Sequence, residues 1–477
     1  MSALHPSLSV RAASVARSAR ATRFAQRVRV VLVAHGALAS FALAATARAQ
    51  ATPASARHLS LGDVVRLAAE RNAGLDVARA RLAQANARIR QRRADLYPTI
   101  SASAVEAGRT FNTATLGFAF KGADGASFFD PDGEVLGPVI TTDIRARITQ
   151  SIFDPGARSR VKDARTAASA TGTEFDVAAE QAAGIAATGY IRLLRADAQV
   201  AARRADSTLA AELLSIAQDQ LSAGVGVALD VTRARSQLSQ VRAQQVAARL
   251  ERERATLDLA RVLSLAPGET ISASDSLAGL ALTTDGFADA SRIERAVARR
   301  PDIRALDAQL TVASERERTI RRESLPTLSA FGDRGPTAGN GTPFLSTYNW
   351  GVQLSVPIFS GFRTQGRLEE QAAMRQELEV RRLDLARQVA LDVRGAREDL
   401  AAARDQLDAA NDRVALAEQE LAQARDRFRA GVAGNADVVT ASLSLNGART
   451  LVIDALTAWH LARVSLARAE GDARSLR

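Results

Sequence analysis

The 477-residue sequence predicts a mainly α-helical fold with a small β part, organised as two copies of a helix–strand–strand–helix–helix unit. Three observations support this fold class. Several motifs occur twice along the chain in the same order. Each copy has a stretch of about 66 residues that carries a heptad pattern, which indicates a long coiled-coil helix. Each copy also has two segments in which apolar and polar residues alternate, which indicates two strands.

Residues 1–49 are predicted to be a secretory signal peptide. They contain seven Arg and no other charged residue, and an apolar run precedes the small-x-small cleavage pattern of Ala47 and Ala49 before Gln50. The alternative is an amino-terminal membrane anchor, although the apolar run is short and His35 interrupts it. Without this segment, 56 basic and 52 acidic residues remain, a net charge of +4. The basic composition therefore gives no reason to expect nucleic acid as a partner.

The composition argues against most kinds of active site. The chain has no Cys, which excludes disulfide bonds, thiol nucleophiles and cysteine metal sites. Its four His are too scattered to form a zinc motif. No Ser/His/Asp arrangement or carboxylate pair stands out, and the Gly-Asn-Gly sequence at 339–341 is an isolated loop signal. We therefore expect neither an enzyme nor a bound cofactor or metal.

Three motifs recur in the second half of the chain and define the repeat. From Phe153 to Gly224 the spacing is 71 residues, and from Phe359 to Gly431 it is 72. The first copy is 22 residues longer only between its first two motifs, which indicates an exposed loop there. The paired motifs are LYPTIS (96–101) and SLPTLS (324–329), QSIFDPGARSR (150–160) and VPIFSGFRTQG (356–366), and LSAGVGVALDVTRARSQL (221–238) and FRAGVAGNADVVTASLSL (428–445).

The repeat divides the mature chain into three parts. Residues 50–264 form the first unit, residues 265–288 connect the units, and residues 289–477 form the second unit. In each unit a first helix ends near the Pro that begins a strand, because the residue before a Pro avoids helical backbone. The predicted first helices are 60–95 and 289–324, the long helices about 157–222 and 364–430, and the returning helices 229–264 and 437–470. The predicted strands lie at about 99–108, 139–150, 327–333 and 347–356.

The long helices carry the clearest pattern. In the second unit, apolar residues fall every seven positions and a row of Ala accompanies them. A heptad sustained over five repeats predicts left-handed coiled-coil packing, and the Ala row lets a neighbouring helix approach closely. We interpret the charged residues on the other faces as solvated helix surface. The two rows are Val393, Leu400, Leu407, Val414, Leu421 and Phe428, and Ala396, Ala403, Ala410, Ala417 and Ala424.

The strands of both units have one apolar and one polar face. We expect the apolar face to contact lipid and the polar face to contact water. Tyr348 and Trp350 lie at the loop end of their strand, and aromatic side chains gather at the membrane interfaces of transmembrane barrels. A soluble β-sandwich also alternates, but it needs more than four strands. Four strands cannot close a barrel, so the barrel must be shared between chains. The predicted lipid-facing residues are Tyr348, Trp350, Val352, Leu354 and Val356. The predicted lumen-facing residues are Asp143, Arg145, Arg147 and Gln353.

The paired motifs, together with RRPDIRALDAQL at 299–310, resemble the TolC family of outer-membrane efflux proteins over almost all of residues 58–470. The resemblance implies a homotrimer in the outer membrane of a Gram-negative bacterium. In that family, twelve strands form one transmembrane barrel, and twelve helices continue it as a coiled-coil tunnel across the periplasm. The tunnel is a passive exit duct for drugs, metal ions or proteins. Its tip docks a periplasmic adaptor, which connects it to an inner-membrane pump.

The resemblance also assigns roles to the turns between the long and the returning helices. Two three-residue turns match the adaptor-contacting tips of the family. They are Ala223, Gly224 and Val225 in the first unit, and Ala430, Gly431 and Val432 in the second. A simpler interpretation is that the two Gly only cap helix C-termini in the left-handed conformation. Both interpretations are compatible with the same turn.

Asp230 and Asp437 follow the two turns and are candidates for a periplasmic gate. The family's second tip carries two Asp three residues apart, and this chain has Asp437 in the first position and Thr440 in the second. Three copies of Asp437 near a shared axis would create a negative constriction that attracts cations. The alternative is that each carboxylate caps, or electrostatically favours, the start of the returning helix.

A periplasmic coiled-coil adaptor or scaffold without a barrel is the competing class. Such a protein would account for the signal peptide and the heptads. It would not account for two pairs of amphipathic strands at equivalent places in the two units. The sequence therefore favours the exit duct.

Overall fold

The computed structural model describes most of the chain after the predicted signal peptide. That peptide lies outside the described residues, as do Gly431 and part of the loop in the first hairpin. The described residues are 57–116, 130, 132–266, 268–280, 289–339, 341–430, 432 and 434–477.

The order helix–strand–strand–helix–helix occurs twice, as α2–β2–β3–α3–α4 and as α6–β5–β6–α7–α8. The helices are α1 (Leu61–Arg71), α2 (Ala73–Ala94), α3 (Pro155–Ser222), α4 (Ala228–Val262), α5 (Asp289–Arg299), α6 (Pro301–Glu323), α7 (Arg363–Arg429) and α8 (Asn435–Glu470). The strands are β1 (Arg57–Leu59), β2 (Thr99–Asn112), β3 (Val135–Phe153), β4 (Ile271–Ala273), β5 (Thr327–Gly339) and β6 (Leu345–Ser355).

One non-helical residue divides each predicted first helix into two helices. Asn72 is extended, with ψ of 141°, and its side chain accepts a hydrogen bond from the N–H of Gly74 at the start of α2. Arg300 is also non-helical, with ψ of 126°, because it precedes Pro301. Composition alone does not locate the interruption at Asn72, whereas Pro301 is a sequence signal for the one at Arg300.

The long helices α3 and α7 contain 68 and 67 residues. At about 1.5 Å per residue, each is about 100 Å long. The carboxylate of Asp154 caps α3 and accepts a hydrogen bond of 2.8 Å from the N–H of Ala157. Helix α3 packs along α4, and α7 packs along α8. The buried residues of α7 that belong to the heptad rows are Val393, Ala396, Ala403, Ala410, Ala417, Leu421 and Phe428.

Among the described residues, no helix combines the length and the apolar character that crossing a bilayer requires.

The largest buried cluster surrounds the middle of α3 and includes the segment that connects the two units. In this cluster β1 pairs in parallel with β4. The buried hydroxyl of Tyr190 lies 2.8 Å from the carbonyl oxygen of Leu59 and 2.8 Å from the carboxylate of Asp275. Burial raises the pKa of Tyr190, so its hydroxyl stays protonated. These contacts hold the connecting segment against α3.

The two hairpins form one antiparallel sheet with the strand order β2–β3–β5–β6. Strand β3 of the first unit pairs with β5 of the second, and Arg147 lies opposite Asp333. Each of the four strands is longer than predicted. Strand β6 begins two residues earlier than predicted but ends at Ser355, one residue before Val356. The sheet follows the ends of α2 and α6 and precedes the starts of α3 and α7.

Candidate functional site

One face of the four-stranded sheet carries a network of charged side chains. Nη1 of Arg145 lies 2.6 Å from Oδ1 of Asp333, and Nη2 of Arg145 lies 3.1 Å from Oδ2 of Asp143. Nη2 of Arg147 lies 3.4 Å from the second carboxylate oxygen of Asp333. Asp333 is buried beneath the two Arg side chains. Three of the predicted lumen-facing residues therefore meet in one network, and this network joins the two hairpins.

Gln353 lies on the same face of the sheet as this network. It pairs with Ser329, four residues from the Asn349 that pairs with Asp333, and residues four apart on a strand share a face. Asp333 is not among the residues predicted from sequence. Its role follows from its position opposite Arg147 in the sheet. Local sequence patterns do not reveal the register between two hairpins that are far apart in the chain.

The opposite face of the sheet is apolar and exposed. Ile144 and Ile148 of β3 contribute to it, and each exposes nearly half of its surface. Val356, just beyond β6, is also exposed. An exposed apolar face of this extent indicates an apolar partner or a membrane. The exposed side chains along β6 are Tyr348, Trp350, Val352 and Leu354, with 61–75% of their surface exposed.

The turn after α3 is a Gly-dependent helix end. Ala223 is the C-cap of α3, and Gly224 adopts a φ of +75°, which favours Gly because it has no Cβ. The N–H groups of Gly224 and Val225 donate to the carbonyls of Leu221 and Gln220 at 3.1 and 3.0 Å. Gly224 therefore has the left-handed conformation that the C-cap interpretation requires. Val225 projects from this turn and is exposed.

The turn after α7 has a similar arrangement in its described part. Ala430 is the C-cap of α7, and its N–H donates to the carbonyl of Asp426 at 3.0 Å. The N–H of Val432 donates to the carbonyl of Arg427 at 3.0 Å, and the Val432 side chain is exposed. Both tips therefore present a Val to the solvent.

The two gate candidates differ in their surroundings. The side chain of Asp230 is 16% exposed, and its carboxylate lies 3.9 Å from Nη1 of Arg233. Asp437 is exposed, and among the described residues its carboxylate forms no ion pair. Neither carboxylate accepts a hydrogen bond from a backbone N–H in the part of the chain that the structure describes. The geometry thus shows no hydrogen-bonded cap at either Asp, and it leaves Asp437 the more accessible charge.

Buried polar side chains connect the first helix pair to the second. At the tip, Asn435 of α8 is fully buried, and its Nδ2 donates to the carbonyl of Asp230 at 2.9 Å. Farther from the tip, the carboxylate of Asp206 on α3 lies 3.0 Å from Arg203 and 3.2 Å from Arg449 of α8. Burial raises the pKa of Asp206, while the two guanidinium groups oppose that shift. Sequence reasoning does not find these residues, because Arg449 follows Asp206 by 243 positions.

A mainly helical chain with long paired helices and a small sheet that has one apolar and one charged face is the architecture of an outer-membrane channel. The chain belongs to the outer membrane efflux protein family, whose model matches residues 64–264 and 292–472. It is therefore an outer-membrane efflux duct, and the family consists of channel proteins and not of enzymes. The alternative of a periplasmic adaptor or scaffold is not favoured.

Solved outer-membrane channels share this fold. The Campylobacter jejuni CmeC outer membrane channel is 20% identical, with a TM-score of 0.68, and the match covers 87% of this chain and 86% of that one. The outer membrane protein VceC from Vibrio cholerae is 18% identical, with a TM-score of 0.66 and coverage of 86% and 96%. The open state of the Neisseria gonorrhoeae MtrE outer membrane channel is 18% identical, with a TM-score of 0.67 and coverage of 86% and 88%. No curated protein sequence matches the chain.

Proposed function

We propose that three copies of the chain form one closed barrel of twelve strands in the outer membrane of a Gram-negative bacterium. The helices of the three copies continue this barrel as a coiled-coil tunnel through the periplasm. The assembly is a passive exit duct without catalysis or cofactor of its own. An inner-membrane pump supplies the energy, and a periplasmic adaptor connects the pump to the tunnel.

The two-faced sheet is the observation that carries this proposal. Strands β2 and β6 are the outermost strands of the described sheet, and each has an edge that is free to pair with another chain. Pairing of β2 with β6 of a neighbouring copy would extend the sheet, and three copies supply enough strands to close it. The exposed apolar face then contacts lipid, and the face with Arg145, Arg147 and Asp333 lines the lumen.

The helix tips are the proposed docking surface for the adaptor. Val225 and Val432 are exposed on the two tips, and an exposed apolar side chain is suited to insertion into a partner's groove. The turns that carry them are fixed by hydrogen bonds to the preceding helices, so they need little ordering on binding.

Conductance in planar bilayers tests the duct. The detergent-extracted protein should produce discrete conductance steps when it is added to a planar lipid bilayer, because a closed barrel with a charged lumen passes ions. Protein unfolded before addition is the control. Absence of steps with folded, membrane-extracted protein would overturn the proposal.

A further inference from the structure

A shallow depression of about 320 Å³ lies on the apolar face of the sheet. Its floor is Gly332 of β5, which pairs with Trp350 on one side and with Ile148 on the other. The next row of the sheet adds Ala146 and Tyr348. Because Gly332 and Ala146 are small and their neighbours are large, the face is concave here.

Three charged residues line the depression, of which Arg147 and Asp333 direct their side chains into the charged network of the opposite face and Arg334 lies at the rim. Arg334 lies between Ala146 and Tyr348 in the register, so it projects from the apolar face and not towards the charged network. It is exposed, and within the described residues its guanidinium forms no ion pair or hydrogen bond. An Arg on a lipid-facing surface is costly unless it reaches the headgroup level or finds an anion.

The position of Arg334 along the sheet corresponds to one end of a membrane-spanning band. At the helix end of the face, Phe359 and Phe362 are exposed and stack edge to face with 5.5 Å between their ring centroids. From Tyr348 to Phe359 the chain advances eleven positions, the first eight residues of which belong to β6, and this length is comparable to the roughly 9–11 residues of a transmembrane strand. Tyr348 is the direct partner of Arg334, so this Arg lies at the end of the band that is farther from the helices.

We propose that this depression is a binding site for one phosphate-bearing lipid of the outer leaflet. An acyl chain lies over Gly332 and against Trp350, and the guanidinium of Arg334 binds the lipid phosphate. The inference rests on the proposed placement of the sheet in the outer membrane. The concave apolar floor and the cationic rim match the two parts of such a lipid.

Native mass spectrometry of the detergent-extracted particle tests the proposal with two lipids as probes. Wild-type protein should retain phosphatidylglycerol in preference to diacylglycerol, which has the same acyl chains but no phosphate. Arg334→Gln should weaken phosphatidylglycerol binding by about tenfold, because a charge-assisted hydrogen bond is lost, and Arg334→Lys should restore part of it. Arg204→Gln, which removes an exposed charge from α3, is the matched control and should have no effect.

Gly332→Leu tests the acyl-chain part of the site separately. A Cβ at Gly332 would meet its nearest neighbours at 3.7 to 3.9 Å, which is ordinary contact, so a side chain fits and fills the depression. This variant should lose lipid although Arg334 is intact, and inorganic phosphate should not compete with phosphatidylglycerol in the wild type. Competition by inorganic phosphate, or full lipid retention by Gly332→Leu, would overturn the lipid site.

Conductance of the assembled particle distinguishes a failure of the lipid site from a failure of the proposed function. If the particle conducts but Arg334→Gln binds phosphatidylglycerol as the wild type does, the lipid site is wrong and the duct stands. If the protein neither inserts nor conducts, the duct and the lipid site fail together.

Discussion

His460 shows how burial determines the charge of a single side chain. Only 1% of its surface is exposed, and its Nε2 lies 2.8 Å from the carbonyl oxygen of Leu277 in the connecting segment. A carbonyl only accepts, so Nε2 carries the proton and donates. Burial lowers the pKa of His460, and the nearby positive charge of Arg463 lowers it further, although the hydrogen bond to Leu277 opposes them. The folded protein therefore keeps this imidazole neutral.

The pH dependence of stability should reveal this neutral His. In the unfolded chain His460 takes up a proton below its ordinary pKa of about 6.5, while in the folded protein it does not until the pH is lower. Stability that is present above pH 6.5 is thus lost as the pH falls. His460→Gln retains a donor for Leu277 and does not titrate. The wild-type free energy of unfolding should fall relative to that of His460→Gln by at most about 2 kcal/mol between pH 7.5 and 5.

Denaturant titrations of the two detergent-extracted proteins provide this measurement. Carboxyls with a raised pKa, such as Asp206 and Glu180, are present in both proteins, so their contributions cancel in the difference. Parallel pH profiles for wild type and His460→Gln would mean that His460 is protonated or hydrated in the folded protein.

Buried polar residues whose partners lie far away in the chain are the part of the site that sequence patterns miss. Asp206 lies on α3, yet one of the guanidinium groups that pair with its buried carboxylate belongs to Arg449 in the last helix. Asp333 matters because the register places it beside Arg145 and Arg147. Asp143, Arg145 and Arg147 were predictable because they alternate with Ile within one strand. Alternation is a local signal, whereas a buried ion pair between distant segments is not.

At the scale of the element, the tip of the first helix pair depends on one backbone conformation. Gly224 has a φ of +75°, and a Cβ there would meet no atom within 4 Å, so a substitution costs conformational energy only. Gly224→Ala should destabilise this turn by about 1 kcal/mol. Gly434→Ala is the control at the second tip, because Gly434 has a φ of −78° and an equally open surrounding.

Amide hydrogen exchange at the tip compares the two variants. Exchange of the Val225 and Gly226 amides, which donate to Gln220, should accelerate in Gly224→Ala. Amides of the second tip should keep their protection in Gly434→Ala. Equal protection in both variants would show that the left-handed conformation at Gly224 is not required.

The sheet allows a sharper test, because adjacent residues of β6 face opposite ways. Val352→Arg introduces a charge on the apolar face and should cost about 2 to 4 kcal/mol if that side chain lies near the bilayer midplane. Gln353→Arg introduces the same charge on the face that carries Arg145 and should be tolerated. The yield of assembled protein in outer-membrane fractions measures both, and equal yields would mean that the assignment of faces is wrong.

Elements were predictable to the extent that a local pattern specifies them. The heptads of α7 identify the long helix, and the motifs that contain Pro98 and Pro326 identify the start of each hairpin. The interruption at Asn72 was not predicted, because the residues around it have a helical composition. The interruption at Arg300 was not predicted either, although Pro301 is a local signal for it. The pairing of β3 with β5 is a tertiary contact between the two units, and neither strand alone indicates it.

At the scale of the whole molecule, Asp437 is the residue whose role depends most on assembly. It is exposed in one chain, and three copies near one axis would repel each other and attract cations. Asp437→Asn should therefore raise the concentration of multivalent cation needed for half-block of single channels by about tenfold. The effect should weaken at high salt, because salt screens exposed charges.

Asp230→Asn is the matched control for the gate. Asp230 follows the first tip as Asp437 follows the second, but its side chain is mostly buried near Arg233. We expect it to change cation block less than Asp437→Asn does. If Asp437→Asn leaves the block unchanged, Asp437 does not line a constriction, and only a favourable interaction with the start of α8 remains for it.

The mass of the detergent-extracted particle tests the central claim most directly, namely that this chain forms a membrane-embedded trimer. Four strands with open edges and one apolar face require other copies of the chain to close a barrel. We predict a particle in the outer-membrane fraction that contains three chains, each beginning near Gln50. A soluble monomer that retains residues 1–49 would contradict the account.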